Sequence, residues 1–234
     1  MKIIILELNE VSPKIFNKFI GLSLKGKYKS DFYKTRTFDE GQLSPWITWA
    51  TVHRGVTNTF HGINDINQYS DFADKTYPTI FQNCLDKGLS VGLVNTMHSG
   101  RLADQHNKKY TFLLPEAFAS NKFCIPSSLE DFQRFNLTMS RASSRSVSRS
   151  FPKKINFLKV LISYLKNTNR LRALINVIKQ LIIELLNPYL KVRRRTIQSD
   201  LIFDLFFSLM VKNSPDLSVF FTNHVACNMH RFWE

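Results

Sequence analysis

Polar side chains that could do chemistry occur at three points of this sequence, after a predicted strand or at the start of a predicted helix. They are Glu7, Asn9 and Glu10; Ser44 and Thr48; and Thr222, Asn223, His224 and His230. Carboxylate, amide and imidazole groups together suit a divalent metal such as zinc or manganese. The candidate metal ligands are therefore Asn9, Glu10, Asn223, His224 and His230.

The two hydroxyl residues suggest a different role. Ser44 and Thr48 lie at a helix start in the stretch SPWITWATVHRGVTNTFHGI, in which Pro45 suits the first helical position and Gly55 the stop. Free N–H groups and the helix dipole stabilise negative charge there, which suits an anion or a nucleophile. Ser44 and Thr48 are thus the candidate nucleophiles, and a helix-backbone hydrogen bond is the alternative for Thr48. Together with a metal, such a site fits phosphate or sulfate esters.

The aromatic and imidazole side chains of the same stretch have structural alternatives. Trp46 and Trp49 lie three residues apart, which favours packing of one helix face in the core over a sugar platform. His53 and His61 could border a pocket, but hydrogen-bonded structural roles are favoured for both. The stretch is therefore interpreted as a helix that borders the site.

The elements that would position these residues alternate between strands and helices. The predicted strands are residues 3–8, 89–96 and 217–221; the predicted helices are residues 11–22, 44–55 and 76–88; and residues 35–43 are a strand or a loop. Strand, helix and strand joined by short connections imply a parallel sheet covered by helices. The predicted fold class is α/β.

The net charge of +14 on this 234-residue chain is concentrated in one segment. Residues 140–199 contain fourteen basic side chains and one acidic side chain, Glu184, and so carry +13. Two helices interrupted near residues 167–169 and ending before Pro188 are predicted there, followed by a helix over 196–212. The predicted organisation is an α/β core over 1–139, a basic helical insertion over 140–199, and a return to the core over 200–234.

Basic residues alternate with leucine and isoleucine in this insertion, which argues against a membrane-spanning helix. Amphipathic basic helices dock on anionic lipid, so a membrane surface is a candidate partner, with Arg193, Arg194 and Arg195 as candidate contacts. The alternative is a solvated helical insertion. Nucleic acid is disfavoured because aromatic and basic residues are not interleaved as in a stacking platform.

Composition also bears on the compartment. With 44% hydrophobic residues and few Gly or Pro, the chain should be globular rather than disordered. The three cysteines are too scattered for a disulfide framework, and the apolar amino-terminal run is too short for a signal peptide. The expectation is a cytoplasmic protein, located peripherally at the inner membrane face if the basic helices bind lipid.

The chain resembles the alkaline phosphatase superfamily in four motifs that follow one another: LNEVSP, PWITWATVHRGVTNTFHGI, PTIFQNCLDKGLSVGLVNT and PDLSVFFTNHVACNMHRFW. The type I phosphodiesterase, nucleotide pyrophosphatase and sulfatase-like branches are the most similar. The resemblance covers residues 1–100 and 214–234. It implies one or two metal ions that position an ester and activate a Thr, Ser or formylglycine nucleophile.

The sequence departs from the superfamily pattern at three chemically important positions. The first metal-binding aspartate falls on Asn9, so Glu10 or Glu7 would have to replace it. The usual nucleophile falls on Pro45, which leaves Ser44 and Thr48 as the nearest hydroxyls.

The late aspartate falls on Asn223, and its histidine partner on His224 or His230. The superfamily's later Asp-His pair and last His would lie beyond residue 234, so this chain is expected to be the amino-terminal portion of such a protein.

Two functions remain open at this point. The first is a metal-dependent hydrolase or transferase acting on phosphate or sulfate esters, with a surface glycan or a lipid-linked ester as candidate substrate. The second is a catalytically inactive binding module of the same fold at a membrane surface.

Overall fold

The computed structural model describes residues 2–18, 44–65, 71–99, 110–142 and 156–232, together with residues 29, 31 and 68. Within them lies a four-stranded sheet of order β1-β4-β2-β3 in which all pairs are parallel. The strands are β1 Ile3–Leu8, β2 Val91–Val94, β3 Phe112–Leu114 and β4 Leu217–Thr222. The predicted class, α/β with a parallel sheet covered by helices, is confirmed.

The helices of the described residues differ widely in length. They are α1 Pro13–Phe16, α2 Pro45–Arg54, α3 Asn58–His61, α4 Asp71–Thr76, α5 Ile80–Asp86, α6 Glu130–Ala142, α7 Phe157–Asn167, α8 Arg172–Leu186, α9 Arg194–Asn213 and α10 His224–Phe232. Two 3₁₀ turns, Ser127–Leu129 and Pro188–Arg193, precede α6 and α9. None of these helices combines the length and the hydropathy needed to cross a membrane.

Strand alternation divides the core between the two faces of the sheet. On one face, Val91, Leu93, Leu113, Leu217 and Val219 pack with Phe81 and Leu85 of α5. On the other face, Val94, Phe112 and Phe220 pack with side chains of α6, α7 and α9. Residue 92 also points to the second face, and it is glycine because a Cβ there would come within 2.2 Å of the Phe112 ring. Helices thus cover both faces of the central strands.

Strand register determines which residues meet at the carboxyl edge of the sheet. Leu8 of β1 is level with Thr222 of β4, and the Asn9 amide donates to the Thr222 carbonyl at 3.1 Å. Asn9 and Asn223, the next residue of each strand, therefore emerge side by side. The polar residues that the sequence places after the two strands do share one edge.

Several predicted boundaries hold, and one helix start is wrong. The strand over 3–8 has the predicted bounds, and α2 begins at Pro45 and stops at Gly55, which adopts a positive φ of 70°. The helix predicted over 76–88 instead begins at Ile80, because Thr79 caps it and exchanges hydrogen bonds with Gln82 in a capping box. Of the helix predicted over 11–22, residues 13–16 are helical and residues 19–22 lie outside the described part; so do residues 35–43.

The basic segment forms the predicted helix pair, α7 and α8, which ends before Pro188. Both pack against α9, which begins at Arg194 and continues into the core through Ile202, Leu205 and Phe206. Residue 199, the predicted end of the insertion, therefore lies inside a continuous helix.

Candidate functional site

Two asparagine side chains form the centre of the carboxyl edge. Asn9 Nδ2 donates to Asn223 Oδ1 at 2.7 Å, and Trp49 Nε1 of α2 donates to Asn9 Oδ1 at 2.9 Å. The Trp49 ring also packs edge-on against Phe221 of β4. Both amide oxygens therefore accept a hydrogen bond from a neighbour, and the bond from Trp49 fixes α2 across the strand ends.

Two other candidates, Glu10 and His230, form a more exposed pair beside the amides. His230 Nε2 of α10 lies 2.6 Å from Glu10 Oε2, with the histidine side chain 72% exposed. Glu10 has a positive φ of 55°, an uncommon conformation for a residue other than glycine. The pair connects the end of β1 to α10.

The remaining metal candidate, His224, contacts hydroxyl groups. Its Nδ1 lies 2.8 Å from Thr222 Oγ1 and 3.2 Å from Ser199 Oγ of α9, and the two hydroxyl oxygens are 2.8 Å apart. Burial lowers the pKa of His224, although Asp200 acts in the opposite direction. A neutral imidazole among hydroxyls can exchange hydrogen bonds with a polar ligand in either direction.

The five metal candidates share one edge, but their donor atoms do not fit a metal centre in this arrangement. The Asn9 and Asn223 oxygens already accept hydrogen bonds, and Glu10 is paired with His230. In the part of the chain that the structure describes, no group of three or more His, Cys, Asp or Glu side chains could hold a metal ion. Zinc or manganese binding remains a prediction that would require these side chains to rearrange.

The two nucleophile candidates lie at the start of α2. Thr48 Oγ1 donates to the Ser44 carbonyl at 3.0 Å, the backbone bond given above as its alternative role. Ser44 is the N-cap residue, and within the described structure its side chain makes no capping hydrogen bond to the helix. Of the two hydroxyls, Ser44 is the better placed to contact a ligand.

A buried pair that sequence reasoning did not predict lies beneath α2. His53 Nε2 is 2.7 Å from Glu7 Oε1, and both residues are 5% exposed. The other carboxylate oxygen, Glu7 Oε2, is buried and has no hydrogen-bond partner among the described residues. The two residues are 46 positions apart in sequence, and the only signal was Glu7 in an otherwise apolar strand.

Polar residues after β2 and β3 extend the same edge. Ser99 Oγ donates to Glu116 Oε2 at 2.7 Å, and both side chains are buried. His98 Nε2 donates to the Trp46 carbonyl at 2.8 Å, and burial lowers the His98 pKa. Sequence reasoning missed Glu116 because it did not identify β3, and it did not consider His98 and Ser99, although they follow the strand predicted over 89–96.

His61 is a structural histidine that should make stability depend on pH. Its Nδ1 accepts from the Ile63 amide at 3.0 Å, so Nε2 carries the proton and faces Thr51 Oγ1 at 3.1 Å. Burial, followed by the positive charge of Arg54, lowers the pKa of His61 from 6.5 to about 4. The favoured structural interpretation of His61 thus agrees with its contacts.

Because the unfolded chain binds the His61 proton at a higher pH than the folded chain, stability should fall as pH drops from 6.5 toward 4. We expect this residue to account for a loss of about 2 kcal/mol between about pH 7 and pH 5. Urea unfolding of the wild type and of His61→Gln at both pH values measures it. The penalty of the substitution should shrink at the lower pH, and parallel profiles would contradict the assignment.

The three consecutive arginines face different surroundings. Arg193 is exposed, whereas Arg194 contacts both oxygens of buried Glu184, with Nη2 2.6 Å from Oε2. Burial raises the pKa of Cys227 in α10, and the positive charge of Arg195 acts in the opposite direction. Successive helical residues point about 100° apart, so the triplet does not form one patch. Arg195 lies at the start of α9, which contacts α10 through the hydrogen bond from Asn228 to Thr196.

The carboxyl edge thus brings together side chains from β1, α2, α9, β4 and α10. Comparisons with protein-family models, curated proteins and solved structures found no match to this chain.

Proposed function

We propose that the carboxyl edge of the sheet recognises a phosphate or sulfate ester without a divalent metal, as a catalytically inactive relative of the alkaline phosphatase superfamily. The observation that carries this proposal is the 2.7 Å hydrogen bond between Asn9 and Asn223. These are the positions at which the sequence resemblance expects metal-binding aspartates. Two neutral amides stabilise each other, whereas two carboxylates at this distance would repel unless a cation lay between them.

The groups around the amide pair support recognition of an oxyanion. Thr222 and Ser199 supply hydroxyls, and His224 supplies an imidazole that touches both. The amino terminus of α2 would contribute its dipole and the Ser44 hydroxyl. Arg195 adds positive charge near Cys227, whose amide is bonded to the Asn223 carbonyl. Hydroxyl, imidazole and guanidinium groups can all donate hydrogen bonds to phosphate and sulfate oxygens.

A second candidate function is the metal-dependent hydrolase or transferase, which the contact between Glu10 and His230 favours. A carboxylate and an imidazole are both ligand types that zinc or manganese binds, and the 2.6 Å contact between these two would have to open to admit the ion. Elemental analysis of the purified chain, of His224→Ala and of His230→Ala tests this function. Our proposal would be contradicted if the chain held stoichiometric metal that both substitutions remove, and if it turned over an aryl phosphate diester or an aryl sulfate.

The amide pair can be tested by converting it into a carboxylate pair. We expect Asn9→Asp combined with Asn223→Asp to bind zinc or manganese at least about tenfold more tightly than the wild type, because the metal would relieve the repulsion between the carboxylates. Isothermal titration with each metal measures the change. The matched control is Asn187→Asp with Asn213→Asp, which adds the same charge away from the edge and should leave metal affinity near the wild-type value.

Ester recognition is measured separately by following tryptophan fluorescence during titration with an aryl sulfate or an aryl phosphate diester. Trp49 is bonded to Asn9 and should report on a ligand at this edge. The proposal expects the same affinity with and without a chelator, and no turnover. Loss of binding in the presence of chelator, or no binding of either ester, would contradict it.

A further inference from the structure

Helix α8 turns its apolar side away from the protein. Ile175, Ile178, Ile182, Leu185 and Leu186 follow the three- and four-residue spacing of one helix face. All five are exposed, and the two leucines are 84% exposed. The opposite face is buried and consists of Ala173, Gln180 and Glu184. This is the reverse of the usual arrangement in a protein surrounded by water, where the aliphatic face is buried.

A buried polar network stabilises this orientation. Gln180 Nε2 donates to Glu184 Oε1 at 2.9 Å and to the Leu190 carbonyl at 2.7 Å. Arg194 of α9 pairs with both oxygens of Glu184. Burial alone would raise the Glu184 pKa, but the hydrogen bonds from Arg194 and Gln180 outweigh it and lower the pKa. Gln180 and Glu184 are therefore hydrogen-bonded inside the protein, and the isoleucine and leucine side chains on the opposite side of α8 are exposed.

Helix α7 repeats the arrangement. Leu158, Leu161, Ile162 and Leu165 have helical spacing and are exposed, while Ser163 and Tyr164 on the other side are buried. Both helices pack against α9. We use the name aliphatic face for the exposed aliphatic residues of these two helices, which are Leu158, Leu161, Ile162 and Leu165 of α7 and Ile175, Ile178, Ile182, Leu185 and Leu186 of α8.

Among the described residues, the exposed charged side chains of α7, α8 and the 3₁₀ turn Pro188–Arg193 are all basic. Lys159, Lys166, Arg172, Lys179 and Arg193 are exposed on or beside these helices. Glu184, the one acidic residue of segment 140–199, is buried against Arg194. Lysine and arginine stems can lie along an apolar surface while their charged ends reach headgroups. An exposed aliphatic stripe on helices whose exposed charges are basic is complementary to anionic lipid.

We propose that α7 and α8 dock the protein on an anionic lipid surface, with the aliphatic face at the boundary between headgroups and acyl chains. A second copy of this chain is a poorer fit, because two such faces would bring like charges together. The inference does not depend on the ester site, whose residues lie on other elements or at the start of α9.

Sedimentation of the whole chain with vesicles tests the proposal. Binding to phosphatidylcholine vesicles that contain phosphatidylserine should be at least about tenfold tighter than binding to phosphatidylcholine alone, and should weaken with salt. Ile178→Gln with Ile182→Gln should reduce binding to the anionic vesicles at least about tenfold. Both side chains are 54% exposed, so circular dichroism and thermal unfolding should stay near the wild-type values.

The matched control is Leu89→Gln with Val211→Gln, which replaces aliphatic side chains that are 42% and 62% exposed and lie outside α7 and α8. It should retain vesicle binding within about twofold. Equal loss in the two double variants, equal binding to both vesicle types, or no binding to vesicles would overturn the proposal. So would a wild-type dimer that the α8 substitutions convert to a monomer while vesicle binding is absent.

Discussion

Replacing His53 by leucine is expected to lower the free energy of unfolding by about 3–5 kcal/mol. The substitution leaves the Glu7 carboxylate 5% exposed and without its partner 2.7 Å away. The second oxygen, Glu7 Oε2, already has no hydrogen-bond partner among the described residues, so neither oxygen would be satisfied. Urea unfolding measures the change.

The reason for the size of this effect can be isolated by removing both side chains of the pair. Glu7→Leu combined with His53→Leu should be more stable than His53→Leu alone, because the stranded carboxylate is gone and leucine can pack near Phe81 and Trp49. The two single effects would then be strongly non-additive. Additive losses would mean that packing of the imidazole ring, rather than pairing of the buried carboxylate, stabilises this region.

Local sequence patterns could predict much of the frame of the carboxyl edge. The apolar runs over residues 3–8 and 217–221 predict β1 and β4, and Pro45 and Gly55 predict the limits of α2. Since parallel strands end at one edge, these patterns predict that Asn9 and Asn223 share an edge, whereas their side-by-side position results from the pairing of β1 with β4.

Features that depend on distant parts of the chain could not be predicted in the same way. Strand β3, Phe112–Leu114, has three residues, too few to give a periodic signal. The partners of Glu7 and of Asn9 come from α2, whose placement over the edge is a result of tertiary packing. Asn9 and Asn223 could either form an amide pair or hold a metal ion, and the sequence does not distinguish these two arrangements. The structure favours the amide pair because both side-chain oxygens accept hydrogen bonds.

The orientation of α8 is the clearest case of a pattern that predicts an element but not its placement. Its periodicity indicates an amphipathic helix, and a burial rule based on hydropathy alone would turn Ile178 and Ile182 inward. The structure buries Gln180 and Glu184 instead, because Arg194 and the Leu190 carbonyl satisfy them. A buried hydrogen-bond network can therefore determine which side of a helix faces outward.

Replacing Asp204 by alanine is expected to lower the free energy of unfolding by about 2–4 kcal/mol. Asp204 of α9 is 5% exposed and accepts from Arg170 Nε at 3.0 Å and from the Ala173 amide at 3.1 Å. Tyr164 of α7 also donates to it at 3.4 Å. The variant would leave the amide at the start of α8 buried without its acceptor. Urea unfolding gives the total cost, and Asp131→Ala, which removes a partly exposed ion-pair partner of Arg134, should cost under about 1 kcal/mol.

Hydrogen exchange separates a local effect of Asp204→Ala from a global one. One carboxylate holds the end of α7, the start of α8 and the connection between them against α9. If it anchors this helix pair, amides of α7 and α8 should exchange faster in the variant through local opening, while amides of β4 change only with global stability. Uniform acceleration in all elements would mean that α7 and α8 unfold only with the sheet. In that case the aliphatic face is a fixed part of the core structure rather than a separately anchored unit.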